Sequence, residues 1–170
     1  MSAGHPKKMP PAVDGGPTFA ELKPRLDPIV ARYPVRAGAM LPVLWVVQKS
    51  RGWLSPRSVK EVAEYLEVPQ AHVEGVITFY TMFRGDPVGR HVVMVCKTLS
   101  CRLRGAQDVI DALREKYGIE LGDTTADGRF TIESAECLGL CDMAPCMLVG
   151  DKRFGDLTPQ TAVSSLEGLS

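Results

Sequence analysis

Five cysteines occur in the chain and none precedes Cys96. Four of them fall in two pairs, Cys96 and Cys101 spaced C-x4-C, Cys137 and Cys141 spaced C-x3-C. Each pair stands where an apolar, strand-like run gives way to a loop: HVVMVC before the first and FTIESAEC before the second. This is the strongest constraint on the fold, because two loops far apart in sequence must converge if the sulfurs are to act together. A tetrahedral iron bridged by sulfide takes two protein thiolates, so a two-iron cluster takes one cysteine pair at each end, as these spacings supply. A structural zinc site also uses four cysteines, though more often as C-x2-C in both halves, and it stays open as the alternative. Disulfide exchange of the thioredoxin type needs a C-x-x-C dithiol, which is absent. His5, His72 and His91 have no sequence signal that pairs them with a cysteine for nucleophilic catalysis.

The surroundings suit an anionic site. Gly139 lies between the second pair, where backbone must pass close to whatever the sulfurs hold. Cys101 stands just before an expected helix, whose free N–H groups favour negative charge. Lys97, Arg102 and Arg104 add positive charge nearby, although solvated surface positions explain them equally well. Cys146 forms a further C-x4-C with Cys141, so spacing does not exclude it. It follows Pro145 and opens the apolar run CMLVG, which is expected to enter a sheet and bury the thiol as a small hydrophobe.

The rest of the chain reads in two parts, an α+β arrangement with a helical bundle (18–88) followed by an α/β domain (89–170). Residues 1–17 are expected to be a disordered tail. They lack the apolar stretch of a signal peptide and the Arg/Ser-rich pattern of a transit peptide, so a reducing cytoplasm is expected, where cysteines favour metal or redox chemistry. Asp27-Pro28 reads as a cap and first turn of a short helix ending near Tyr33-Pro34. Leu41, Leu44, Trp45 and Val47 read as the apolar side of a second helix closed at Gly52. Ser55-Pro56 starts a third, with Val59, Val62, Ala63 and Leu66 inward, and Val73, Val76, Ile77 and Tyr80 mark a fourth. The segment Phe79–Phe83 carries more large apolar side chains than one helix side can bury, so some are expected to be exposed. RGDPVGR at 84–90 is the boundary. Beyond it, strands are expected at 91–96, 130–137 and 147–149, with a turn at Asp151 and a pairing strand at Arg153-Phe154. Helices are expected at 105–117, with Val109, Ile110 and Leu113 inward, and from Thr158-Pro159, with Val163 and Leu166 inward.

Lys+Arg and Asp+Glu are both 20, which argues against a general nucleic-acid binder, since that needs a basic excess. The longest apolar candidate, Met40 to Val47, contains Pro42 and is too short to cross a bilayer, so no direct membrane insertion is expected. There is no G-x-G-x-x-G loop or other nucleotide signature.

On the stretches GWLSP at 52–56, GV at 75–76 leading to TFY at 78–80, VCKTLSC and ECLGLCDMAP, the chain from about Ala37 onward resembles the thioredoxin-like 2Fe-2S subunit of bacterial NADH–quinone oxidoreductase, respiratory complex I. The resemblance implies a helical bundle followed by a thioredoxin-like 2Fe-2S ferredoxin domain, with Cys96, Cys101, Cys137 and Cys141 as ligands of one cluster and Cys146 outside the set. It implies a flavoprotein partner that binds FMN and NADH, an electron passed from that flavin to the cluster, and a cytoplasmic place peripheral to the inner membrane. The same module occurs in NAD-dependent formate dehydrogenases and hydrogenases. The chain is thereby expected to be part of an enzyme, with no catalytic nucleotide site of its own. A zinc-stapled interaction module is the reading from a different class.

Overall fold

The computed structural model describes residues 7–10 and 15–169. The chain divides into two compact units, Pro11–Pro87, and Val88–Ser170 together with Met1–Pro10. Of the expected tail, residues 1–6 and 11–14 lie outside the described residues. Residue 8 within it is held: the Lys8 N–H donates to the Asp123 carboxylate at 2.9 Å, and the Thr124 N–H donates to the Lys8 carbonyl at 2.7 Å.

The first unit contains α1 (Phe19–Val30), a 3-10 turn (Arg36–Ala39), α2 (Met40–Arg51), α3 (Pro56–Leu66) and α4 (Gln70–Phe79). The reading of α1 as a short helix opened by Asp27-Pro28 is corrected. Thr18 caps it in a reciprocal box with Glu21, and Pro24 and Pro28 both lie inside. Interior prolines cost about 3 kcal/mol each. Burial of Leu22, Leu26 and Val30, four apart on one side, contributes about 1.5–3 kcal/mol each and the cap about 1 more, enough to carry the helix past both.

In α2 the inward side is Met40, Val43, Leu44 and Val47, the i, i+3, i+4, i+7 pattern of one helix face. Leu41 and Trp45, expected inward, sit on its flank and stay 39% and 38% exposed. α3 matches its expected inward residues, with Ser55 capping the Ser58 N–H and Pro56 in the first turn. The Arg51 guanidinium closes the junction between α2 and α3. It donates to Glu61 at 2.6 Å, to the Ser58 hydroxyl at 2.8 Å and to the Pro17 carbonyl at 3.2 Å. Phe79, the last residue of α4, is 77% exposed; beyond it Met82 is 52% exposed and Phe83 is buried.

The second unit contains β1 (His91–Cys96), α5 (Leu99–Leu103), α6 (Ala106–Tyr117), β2 (Phe130–Ala135), β3 (Met147–Val149), β4 (Lys152–Phe154) and α7 (Pro159–Glu167). The sheet order is β2-β1-β3-β4. β1 and β2 are parallel, and the other two pairings are antiparallel. A parallel pair needs a crossover, which α6 supplies. Val93 and Val95 of β1, Phe130 and Ile132 of β2, and Met147 and Val149 of β3 form one core with Val109, Ile110 and Leu113 of α6 and Ala162 and Leu166 of α7. Val163, expected inward on α7, is only half-buried at the edge of that core. Along β2, Phe130 and Ile132 are buried and Ser134 is half-buried. Thr131, on the opposite side, is also buried, and its hydroxyl is satisfied by that of Thr124 at 2.7 Å.

Candidate metal centre

The sheet register builds the site. In the parallel pair Cys96 stands opposite Ala135, and the Lys97 N–H donates to the Ala135 carbonyl at 3.0 Å, so the first cysteine is level with the start of the loop that carries Cys137. In the antiparallel pair Val95 stands opposite Met147, and the Cys96 N–H donates to the Cys146 carbonyl at 3.1 Å. The end of β1, the end of β2 and the start of β3 therefore meet at one edge. Cys101 joins them from the short helix α5 and not, as the sequence suggested, from the loop before a helix.

Cys96, Cys101 and Cys146 are all buried, and their sulfurs lie within 4.8 Å of one another. Cys101 Sγ and Cys146 Sγ are 3.7 Å apart. Ala106 and Ala144 wall this group, with Leu138 and Leu140 packed against it. Sequence reasoning anticipated the burial of Cys146 but not its approach to Cys101. Only its C-x4-C spacing from Cys141 hinted that it belonged near the others. Cys137 and Cys141 are exposed on the 136–143 loop and lie outside the three-sulfur group. Of the four residues expected to act together, the structure thus brings Cys96 and Cys101 into contact and leaves Cys137 and Cys141 on the loop beside them.

That loop touches the buried thiols through its backbone. The Glu136 carbonyl is 3.9 Å from Cys96 Sγ, and the Leu138 N–H also hydrogen-bonds that sulfur. Gly139 has φ 70°, a left-handed turn that glycine adopts without strain, and its N–H donates to Cys137 Sγ at 3.4 Å. The sheet edge thus gathers three buried thiols, Cys96, Cys101 and Cys146, with the exposed Cys137 and Cys141 on the loop beside them. That donor set and the N–H groups turned toward sulfur suit a thiolate-bound iron–sulfur cluster.

The thiols differ electrostatically. Burial alone raises the Cys96 thiol, but donors from the Thr98 backbone and hydroxyl, the Cys101 thiol and the Leu138 N–H leave it below its ordinary value. Burial, and then its hydrogen bond to Cys96, push Cys101 up. Burial and the Cys101 sulfur push Cys146 to about 12, so it is the most firmly protonated of the three. Two of the nearby cations are engaged at the surface: Lys97 pairs with Glu136 at 2.9 Å and Arg104 with Asp156 at 3.6 Å.

Residues 26–170 match the family model for thioredoxin-like 2Fe-2S ferredoxins, and the chain belongs to that family. Among its relatives is the E subunit of NADH-quinone oxidoreductase from Pseudomonas aeruginosa, 41% identical over 129 residues, which are 76% of this chain and 78% of that protein. The E 2 subunit of the same enzyme from Rhizobium meliloti is 40% identical over 148 residues, 87% of this chain and 88% of that one. The E subunit from Escherichia coli K12 is 40% identical over 129 residues, 76% of this chain and 78% of that one. These relatives are subunits of an oxidoreductase complex. In three dimensions the chain resembles a crystal structure of an NAD+-reducing [NiFe]-hydrogenase in the air-oxidized state, with a TM-score of 0.65 at 22% identity. The match covers 74% of this chain and 22% of that one and shows a shared fold. The expected thioredoxin-like α+β architecture is what the family match and the sheet topology show. Among the described residues, no helix is long and apolar enough to cross a membrane.

Proposed function

We propose that this chain is the electron-transfer subunit of the NADH dehydrogenase module of complex I, and that it holds one 2Fe-2S cluster which takes an electron from FMN on a flavoprotein partner. The observation that supports this most is the convergence of Cys96 and Cys101 with the backbone of the loop bearing Cys137 and Cys141. In this reading Cys96, Cys101, Cys137 and Cys141 would hold the cluster. A bound cluster of this type supplies one-electron transfer.

The chain's own residues do the rest. The Thr98 and Leu138 donors on Cys96 stabilise added negative charge and raise the potential, while burial of Cys96 and Cys101 among Ala106, Ala144, Leu138 and Leu140 keeps water out and lowers it. The two exposed cysteines form the edge turned to a partner. Beside Cys101, Leu99 and Leu103 of α5 are 70% and 78% exposed, an apolar pair four residues apart that suits a docking surface near the cluster. Residues 18–88 serve as a helical docking domain and 89–170 as the cluster domain. NADH and FMN belong to the partner, since this chain has no nucleotide-binding loop. The assembly is peripheral to the inner membrane on its cytoplasmic side.

The test has two arms. Anaerobically purified chain should carry about two irons and two labile sulfides; stoichiometric zinc without sulfide refutes the cluster. Mixed with NADH, the cluster should be reduced only when the flavoprotein is present. Prompt reduction without it refutes the division of labour.

A further inference from the structure

Cys146 has no part in the four-ligand reading, yet it is 1% exposed and its sulfur is 3.7 Å from that of Cys101. We infer that Cys96, Cys101 and Cys146 form a second ligand set in the cluster-free chain, a three-thiolate site for a single copper(I) ion. Three features point to this occupant. The sulfurs lie within 4.8 Å of one another, close enough for one ion to reach all three; the strand register places Cys96 beside Cys146, and α5 brings Cys101 to them. The donors are all soft thiolates, which select copper(I), zinc and iron–sulfur clusters over harder ions. Among the described residues, no histidine or carboxylate joins the group, and its walls are Ala106, Ala144 and two leucines. Zinc in a structural site takes four ligands in a tetrahedron, whereas three sulfurs make up this group among the described residues. Copper(I) is satisfied by three thiolates, and its single charge offsets part of theirs inside an apolar wall.

The chemistry is ligand exchange without electron transfer. Each thiol that binds releases its proton to solvent, and the copper stays monovalent throughout. Because Cys96 and Cys101 belong to both sets, copper and cluster exclude one another at this edge. That exclusivity rests on the cluster ligands proposed above, whereas the copper site itself does not.

The experiment uses the full chain, stripped of iron anaerobically and titrated with copper(I) against the chromophoric chelator bicinchoninate. Wild type should bind one copper(I) per chain. Cys137→Ser and Cys141→Ser should bind it equally well. Cys146→Ser and Cys146→Ala should bind it about 100-fold more weakly, at least the upper end of what losing a mere supporting group costs a metal site. Circular dichroism of each variant checks that the fold survives. Should the Cys146 variants unfold, the rates of thiol alkylation of wild type with and without copper decide the matter: copper should slow modification of Cys96, Cys101 and Cys146 and leave that of Cys137 and Cys141 unchanged. Equal affinity in folded Cys146 variants, or copper slowing Cys137 and Cys141 with Cys146 unchanged, overturns the inference. Rebuilding the cluster with iron and sulfide in the same variants separates the two readings. A normal cluster with no copper site sinks this inference alone. A copper site with no cluster on wild type sinks the proposed function alone.

Discussion

Gly155 follows β4 and packs on Met143, the last residue of the 3-10 turn Cys141–Met143. A Cβ built at position 155 meets Met143 Cβ at 2.5 Å and its Cγ and Sδ at 2.7 Å. The far end of the methionine can swing aside, but its Cβ cannot move without the backbone. That backbone is held on both sides: the Met143 N–H donates to the Leu140 carbonyl at 3.2 Å, and the Met143 carbonyl accepts from the Asp156 N–H at 2.8 Å. Gly155→Ala should therefore displace the turn and move Cys141 with it. Forcing one extra methyl into such a contact costs about 1–3 kcal/mol. For a unit of this size, a loss of about 2 kcal/mol lowers Tm by about 8–16 °C. Thermal unfolding measures the stability, and the decay of visible absorbance in air measures cluster retention. Both should fall. The chain carrying both Gly155→Ala and Met143→Gly lacks the clashing atoms, so the two substitutions should couple favourably by about 0.5–3 kcal/mol. Wild-type melting and cluster lifetime in Gly155→Ala, or strictly additive effects in the double variant, refute the reasoning.

Two further outcomes are expected. Burial, with the hydrogen bond from the Tyr65 hydroxyl to the Asp27 carboxylate (2.6 Å) and that carboxylate's charge, pushes Tyr65 from the ordinary 10 up to about 12. Because the folded value is raised, this contribution to stability is complete below about pH 10 and is lost as pH rises through about 12. The stability difference between wild type and Tyr65→Phe, measured by denaturant unfolding, should shrink across that window, and a constant difference refutes the assignment. If residues 18–88 dock the flavoprotein partner proposed above, Phe79→Ser and Met82→Ser should each weaken that binding about 10-fold, close to 1.4 kcal/mol. They should leave the unfolding free energy of the isolated chain within about 0.5 kcal/mol of wild type, because both side chains are more than half exposed. Calorimetric titration and unfolding curves check the two halves, and unchanged affinity with lost stability reverses the roles assigned to these residues.

Local signals carry only as far as their own neighbourhood. The spacing of Val59, Val62, Ala63 and Leu66 behind Ser55-Pro56 determined α3, and the run HVVMVC determined β1, because period and capping are properties of adjacent residues. The two cysteine pairs likewise announced thiolate chemistry from their spacing and their place at strand ends. Tertiary packing decided what local rules misjudged. Asp27-Pro28 read as the start of a helix, but burial of Leu22, Leu26 and Val30 in the bundle carries one helix from Phe19 through both Pro24 and Pro28. Leu41 and Trp45 read as inward until the neighbouring helices chose the Met40, Val43, Leu44 and Val47 side of α2. The same holds at the site. No spacing rule tells how far Cys146 lies from Cys101, because that distance depends on the antiparallel register of β3 against β1 and on α5 folding back over the strand end. Register and crossover join residues about fifty positions apart, and only the folded sheet has the information to set them.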